Sequence, residues 1–210
     1  MLPLPLAHLP GYEAPGLRPG LELLAQGQYE AAEAKIGPFL ATHRDNVCAY
    51  VAEASTWLAR QQYGSAIVPL EAGMASLPKY EPGWRELGRS YYYQKRYDRA
   101  TDDCEKALAL DPHDPDAWLL KGLAQGMSHH EQAAVASLHE ATVLTPTLAL
   151  AWQQEGRFLF DAHQYRAALP VLTHALQLAP QDAPTRTRLQ TTYEHLGQPM
   201  RALALKWGSQ

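Results

Sequence analysis

Four prolines in this chain lie 34 residues apart, at Pro78, Pro112, Pro146 and Pro180. Each closes a short run rich in small and apolar residues, as in "KALALDP" and "HALQLAP". Proline ends a helix because its ring clashes with the preceding turn and because it has no N–H group to donate. An internal period of roughly 20 to 50 residues is typical of chains built from stacked copies of one small unit. The prolines therefore predict a series of helical units, each ending where the next one begins.

Small residues recur in the same frame and predict two closely packed helices in each unit. The twentieth position is alanine in all six units, namely Ala32, Ala66, Ala100, Ala134, Ala168 and Ala202. The eighth position is also small in the first five units: Gly20, Ala54, Gly88, Gly122 and Gly156. Small side chains at both positions let two helix backbones approach closely. Tryptophan at the fourth position of three units is expected to fill the space beside them, at Trp84, Trp118 and Trp152.

The third unit carries the pattern of a known repeat family. Its sequence from Trp84 to Pro112, "WRELGRSYYYQKRYDRATDDCEKALALDP", resembles the tetratricopeptide repeat at nearly every signature position. The resemblance extends over about residues 13–210. It implies an all-α fold, a right-handed α-solenoid of stacked helix-turn-helix hairpins with about six units.

The repeat frame divides the chain into a leader and six units. The leader, residues 1–12, is predicted to be extended and polyproline-like because it is rich in proline. Five units are expected to follow, at residues 13–46, 47–80, 81–114, 115–148 and 149–182. The sixth, residues 183–210, is irregular, with Arg186 at the tryptophan position and Pro199 in the turn. It is predicted to cap the stack, because terminal repeats carry polar substitutions on the side that faces water.

Composition argues against several classes of partner and compartment. The chain has 18 Lys and Arg residues against 22 Asp and Glu residues, a net charge of −4. Without a basic excess, nucleic acid and anionic membrane surfaces have no general electrostatic reason to bind. No apolar run approaches the roughly 18 residues that a membrane span needs. The two cysteines form no CxxC pair, which favours a reducing compartment. We therefore expect a cytoplasmic protein, or a periplasmic one if Met1 is not the native start.

No motif in the sequence indicates catalysis or a cofactor. The chain lacks GxxxxGK[ST], GxGxxG, GxSxG and HExxH, so we predict a protein without catalytic residues and without a cofactor. His129 and His163 share one position in neighbouring units, and two such imidazoles could hold a metal ion if a third ligand joined them. Exposed turn histidines without a role are much commoner, so no metal site is predicted.

The resemblance also indicates where a partner would bind. In the tetratricopeptide family the first helices of successive units line the concave surface of a superhelix. The corresponding side chains here are predicted to form the partner-binding groove: Leu24, Val51, Leu58, Arg85, Arg89, Tyr92, Tyr93, Leu119, Leu123, Met127, Arg157, Phe160 and Arg188. Aromatic and arginine side chains dominate binding energy at protein interfaces. We therefore expect the groove to hold an extended or helical segment of another protein, with apolar side chains and at least one acidic group for Arg85 and Arg89.

Three functions remain open at this point. The first is a non-enzymatic adaptor or assembly scaffold, and the second is a secretion-type chaperone that shields an apolar segment of its cargo. The third is self-association, in which leucines of the leader occupy the chain's own groove or that of a second copy. The family's carboxylate clamp needs Lys and Asn where this chain has Leu17 and Leu21, and its asparagine ladder is excluded because Asn46 is the only asparagine. A dedicated partner is therefore expected rather than a generic chaperone tail.

Overall fold

The computed structural model describes residues 4–207, and this part of the chain is all-helical, without a strand. The all-α fold class is thereby confirmed. The twelve helices are α1 (Arg18–Ala25), α2 (Tyr29–Thr42), α3 (Val47–Ala59), α4 (Tyr63–Ser76), α5 (Glu81–Tyr93), α6 (Tyr97–Leu110), α7 (Pro115–Met127), α8 (Glu131–Leu144), α9 (Ala149–Asp161), α10 (Tyr165–Leu178), α11 (Ala183–His195) and α12 (Pro199–Trp207).

The chain forms two compact units, Met1–Pro112 and His113–Gln210. The first contains α1 to α6 and the second α7 to α12, and within each unit every helix packs against the next one along the chain. In the first unit α3 and α5 begin 34 residues apart, as do α7, α9 and α11 in the second. The helix starts thus recur with the period of the prolines, while the division into six repeats stays a prediction.

Close helix packing explains the small residues of the repeat. A Cβ atom added to Gly122 would lie 2.6 Å from Cγ of Leu138 and 3.1 Å from the carbonyl oxygen of Ala134. Both of these residues are completely buried. At Gly88 the added atom would lie 3.1 Å from the carbonyl oxygen of Ala100. Glycine at the eighth position and alanine at the twentieth therefore meet where the two helices of a hairpin touch.

One residue in the turn of each hairpin has a left-handed backbone. These residues have φ between 56° and 75° and lie 34 positions apart: Gly27, Gln61, Lys95, His129, His163 and Gly197. In the third turn the N–H of Lys95 donates to the carbonyl of Tyr92, and the N–H of Arg96 donates to that of Tyr91, both at 2.9 Å. This pair of hydrogen bonds is the Schellman motif, which satisfies carbonyls at a helix end. The shared position of the two histidines is therefore a turn position.

A second recurring contact joins the start of one hairpin to the end of the preceding one. The indole Nε1 of Trp84 donates to the carbonyl oxygen of Pro78, and that of Trp152 donates to Pro146, each at 2.9 Å. The closing proline therefore ends a helix and also presents an acceptor to the tryptophan six residues later.

The leader departs from the expected extended conformation. Residues 7–13 form turns, in which the N–H of Leu9 donates to the carbonyl of Leu6 at 3.0 Å and that of Tyr12 donates to Leu9 at 3.1 Å. Leu4, Leu6 and Leu9 are 0%, 6% and 9% exposed. The prediction of an extended leader is therefore wrong for this stretch, because burial of leucine outweighs the preference of proline-rich chain for an open conformation. Residues 1–3 lie outside the described range.

Candidate partner-binding surface

The predicted groove residues of α1 and α3 are buried. We use the term first-helix face for the predicted groove side of α1, α3 and α5 in the first unit and of α7, α9 and α11 in the second. Leu24 is 1% exposed, Val51 is fully buried and Leu58 is 6% exposed. Ser55, also on α3, is completely buried and donates from its hydroxyl to the carbonyl of Val51 at 2.8 Å. This corrects the expectation that Leu24, Val51 and Leu58 line an open groove.

The arginines of α5 pair with carboxylates of their own helix. Nη1 of Arg85 lies 3.4 Å from Oε1 of Glu81, and Nη1 of Arg89 lies 3.3 Å from Oε1 of Glu86. Glu86 is only 2% exposed, and its Oε1 also lies 3.8 Å from Nε of Arg85. The sequence analysis overlooked Glu86, although it lies three residues before Arg89, a spacing at which helix side chains meet. The expected pair of cations is therefore balanced by two acids, which weakens its attraction for an acidic partner.

Aromatic rings form the exposed part of the α5 face. The ring of Tyr93 stacks on Tyr63 of α4, with centroids 4.0 Å apart and planes 15° from parallel. The ring of Tyr92 lies edge-on to that of Tyr93, with centroids 5.6 Å apart. It is tilted against the ring of Tyr97, with centroids 5.7 Å apart. Tyr93 is 55% exposed and Tyr92 is half-buried. Such clusters offer large rigid contact areas of the kind that dominate binding at interfaces.

In the second unit the face is apolar with two arginines. Leu119 and Leu123 on α7 are half-buried, and Met127 at the end of that helix is 42% exposed. Phe160 on α9 is half-buried, with its ring 5.6 Å from that of Tyr165 on α10. The structure thus leaves apolar side chains partly accessible on the predicted face of this unit.

The two arginines of this unit differ from those of α5. The guanidinium carbon of Arg157 lies 4.3 Å from the ring centroid of Phe158, and its Nε atom is buried without a hydrogen-bond partner among the described residues. Arg188 on α11 is half-buried. In the part of the chain that the structure describes, neither Arg157 nor Arg188 forms an ion pair with a carboxylate. Their charge therefore remains available to an acidic group.

A buried carboxylate lies behind this face. Glu155 on α9 is 4% exposed, with its Oε1 3.2 Å from Nδ1 of His139 and its Oε2 accepting from the hydroxyl of Thr142 at 3.4 Å. Burial raises the pKa of Glu155, and the contacts with His139 and Thr142 oppose that rise. Glu155 thus contacts two side chains of α8 from α9 and is not accessible to a ligand.

Two further features of the structure concern metal binding and membrane-spanning helices. His129 has a side chain that is 91% exposed, and His163 is exposed in the equivalent turn. Within residues 4–207 no three His, Cys, Asp or Glu side chains come together in a way that could hold a metal ion. In the same range none of the helices has the length and apolar character needed to cross a membrane.

Comparison with known proteins identifies the repeat. Residues 82–114, which contain α5 and α6, match the family model of the tetratricopeptide repeat. Residues 82–114 are therefore a tetratricopeptide repeat. Solved structures of tetratricopeptide-repeat proteins resemble most of the chain in fold.

Three solved structures illustrate the likeness of this chain to tetratricopeptide-repeat proteins. YrrB, described as a tetratricopeptide-repeat protein with an unusual peptide-binding site, is 18% identical, with a TM-score of 0.70 over 81% of this chain and 88% of YrrB. MamA from Desulfovibrio magneticus RS-1 is 18% identical, with a TM-score of 0.72 over 79% of this chain and 94% of that one. PilF of Pseudomonas aeruginosa is 18% identical, with a TM-score of 0.71 over 90% and 86% of the two chains. At this identity the likeness establishes the fold alone.

One curated protein also shares sequence with this chain. It is Protein O-mannosyl-transferase TMTC1 of Homo sapiens, 33% identical over 101 residues. The match covers 46% of this chain and 12% of the human protein. The shared segment is thus a small part of that protein.

Proposed function

We propose that this chain is a non-enzymatic adaptor or assembly scaffold, which holds an extended or helical segment of a partner protein. We place the partner's apolar side chains on the first-helix face of the second unit, beside Leu123, Met127 and Phe160. At least one acidic group of the partner would meet Arg157 or Arg188. The cytoplasm is the proposed compartment, from the low cysteine content.

The observation that carries the proposal is the lack of a carboxylate partner for Arg157 and Arg188 in residues 4–207. A guanidinium on an apolar face without a counter-charge favours a ligand that supplies one, because charge-assisted hydrogen bonds are stronger than neutral ones. On α5, by contrast, Glu81 and Glu86 already lie beside the two arginines. The peptide-binding site named for YrrB is a second, weaker support for a peptide ligand here.

Selection from a random peptide library on the immobilised full-length chain tests the proposal. The enriched peptides are expected to combine leucine or aromatic residues with aspartate or glutamate. Arg157→Glu should weaken the best peptide roughly tenfold or more, since a like charge replaces an attractive one and tenfold corresponds to about 1.4 kcal/mol. Arg166→Glu, on the exposed side of α10, makes the same change in net charge and should leave the affinity unchanged.

The two results that would reject this function are distinct. Equal loss of binding in both arginine variants would show a general charge effect and no specific site. Enriched peptides without an acidic residue would favour the alternative, a secretion-type chaperone that shields a purely apolar segment. Self-association, the third function left open by the sequence, would be detected as a concentration-dependent mass in light scattering of the full-length chain.

A further inference from the structure

Residues 4–11 of the leader are fastened to the first helices of the second and third hairpins. The N–H of Cys48, the second residue of α3, donates to the carbonyl of Pro10 at 3.1 Å. The hydroxyl of Tyr80, which immediately precedes α5, donates to the carbonyl of Pro5 at 2.6 Å. Near the end of this stretch, Nδ2 of Asn46 donates to the carbonyl of Gly11 at 3.3 Å. The leader therefore runs from the start of α3 to the start of α5.

Tyr80 fixes one end of the leader at the start of α5. Its hydroxyl donates to Pro5, and burial raises the pKa of that hydroxyl. The three hydrogen bonds therefore place residues 4–11 on the face formed by the starts of α3 and α5.

Burial also indicates that the leader is packed on the first unit. Leu4 is completely buried, and Leu6 and Leu9 are 6% and 9% exposed. On α5, by contrast, Arg89 is half-buried and Tyr93 is 55% exposed. The leucines of the leader are therefore enclosed, whereas the end of α5 is partly open.

The leader has the chemistry of a groove ligand. Its buried side chains are Leu4, Leu6 and Leu9, while Pro5 between the first two and Pro10 after the third are exposed. Proline has no N–H group, so its backbone can lie on an apolar face without leaving a donor unsatisfied. A proline-rich segment also loses little conformational entropy when it binds, which is how such segments dock in grooves.

We propose that residues 4–11 are an internal ligand of the first unit, and that this face takes in their place a proline-spaced leucine segment of a partner. The recognised pattern has leucines at positions i, i+2 and i+5, with proline between the first two. This inference concerns a different face from the acidic-partner site of the second unit and does not depend on it. Because the leader is part of the same chain, a competing segment must overcome an effective concentration on the order of millimolar.

A synthetic peptide with the sequence of residues 1–12 tests the proposal in solution. In the full-length variant Leu4→Asp/Leu6→Asp the leader is expected to leave the face, since burial of a carboxylate is costly. The peptide should then bind this variant roughly tenfold or more tightly than it binds the natural chain. A peptide with the same two substitutions is the control and should bind neither protein. A variant with unchanged helical content that binds the natural peptide no better than the unaltered chain does would overturn the proposal.

Hydrogen exchange on the unaltered chain provides a test that needs no folded variant. Addition of the peptide at several times the effective concentration, which is on the order of millimolar, should accelerate exchange of the hydrogen-bonded amides of Leu9 and Tyr12. The amides of α3 should remain protected, because the peptide replaces the leader there. Unchanged leader exchange at this peptide concentration would show that residues 4–11 are a fixed part of the fold, and the proposal would then be wrong.

Discussion

The guanidinium of Arg186 donates a hydrogen bond to the carbonyl oxygen of Pro180. Trp84 and Trp152 make the same bond at the equivalent position, to the carbonyl six residues before them. In the sixth unit an arginine thus supplies the N–H donor that an indole supplies in the third and fifth. Arg186 replaces the signature tryptophan in the sixth unit and makes the same contact.

Loss of this bond should be measurable at Trp84. Trp84→Phe is expected to lower the free energy of unfolding by about 1 kcal/mol more than Trp57→Phe does, since it removes a hydrogen bond that the control does not have. Trp57 is a matched control in two respects. It is half-buried, as Trp84 is, and a cation lies near the ring in both cases. Arg60 lies 5.1 Å from the ring of Trp57, and Lys106 lies 4.2 Å from the ring of Trp84. Urea denaturation followed by circular dichroism measures both. Equal effects would mean that the bond to Pro78 contributes nothing.

Helix contact at Gly122 predicts an overpacked variant. Gly122→Ala should destabilise the chain by roughly 1–3 kcal/mol, because the added methyl group meets the buried Leu138 and the backbone of α8. Gly64→Ala is the control, since an added Cβ there meets only the end of the flexible side chain of Gln94. Alanine is a better helix former than glycine, so this variant should gain about 0.5–1 kcal/mol. Thermal unfolding of both variants decides whether the sign differs as expected.

The left-handed turns predict a reciprocal pair of substitutions. Lys95→Gly should stabilise the chain by up to about 1 kcal/mol, because glycine adopts φ near +60° without a steric cost. Gly27→Ala, at the same repeat position with φ of 75°, should destabilise it by about 1 kcal/mol for the opposite reason. The free energies of unfolding in urea measure both changes. Changes of the same sign would contradict the conformational explanation.

Glu155 predicts a dependence of stability on pH. Burial raises its pKa above the usual value of 4.5, so the folded state binds this proton more tightly than the unfolded chain does. The contribution of this bound proton to folding stability is therefore complete below pH 4.5. It is lost as the pH rises through the raised pKa of Glu155. Glu155→Gln, which does not titrate, should accordingly gain stability relative to the unaltered chain over that interval. Denaturation at several pH values checks this, with Glu140→Gln, on the exposed side of α8, as the matched control substitution.

The sequence predicted the helical hairpins well because their determinants are local and repeated. The starts of α3, α5, α7, α9 and α11 fall on the frame set by the prolines. The left-handed turns were not predicted, because only Gly27 and Gly197 among the six have the residue type that indicates them. Once one of these turns is known, the 34-residue period gives the positions of the other five turns.

The binding surface was harder to predict because it depends on contacts between distant segments. The leader was expected to be extended from its prolines, whereas its leucines gain more by burial on the first unit. Val51 is buried, and its Cγ2 would lie 3.3 Å from a Cβ atom added to Gly73 of α4. The charge of the α5 face was judged from its arginines alone, although Glu86 lies between them in the sequence. The arginines of α9 and α11 lacked any signal that distinguished them from those of α5.

The left-handed turn residues Gln61, Lys95, His129 and His163 are all exposed and tolerate very different side chains. They are therefore natural attachment points for spectroscopic labels, since a cysteine at any of them would project into solvent from a backbone of known geometry. Labels at 61 and 95 would measure the distance between two turns of the first unit, and labels at 129 and 163 would do the same for the second. A change in either distance when a partner is added would show which unit has bound it.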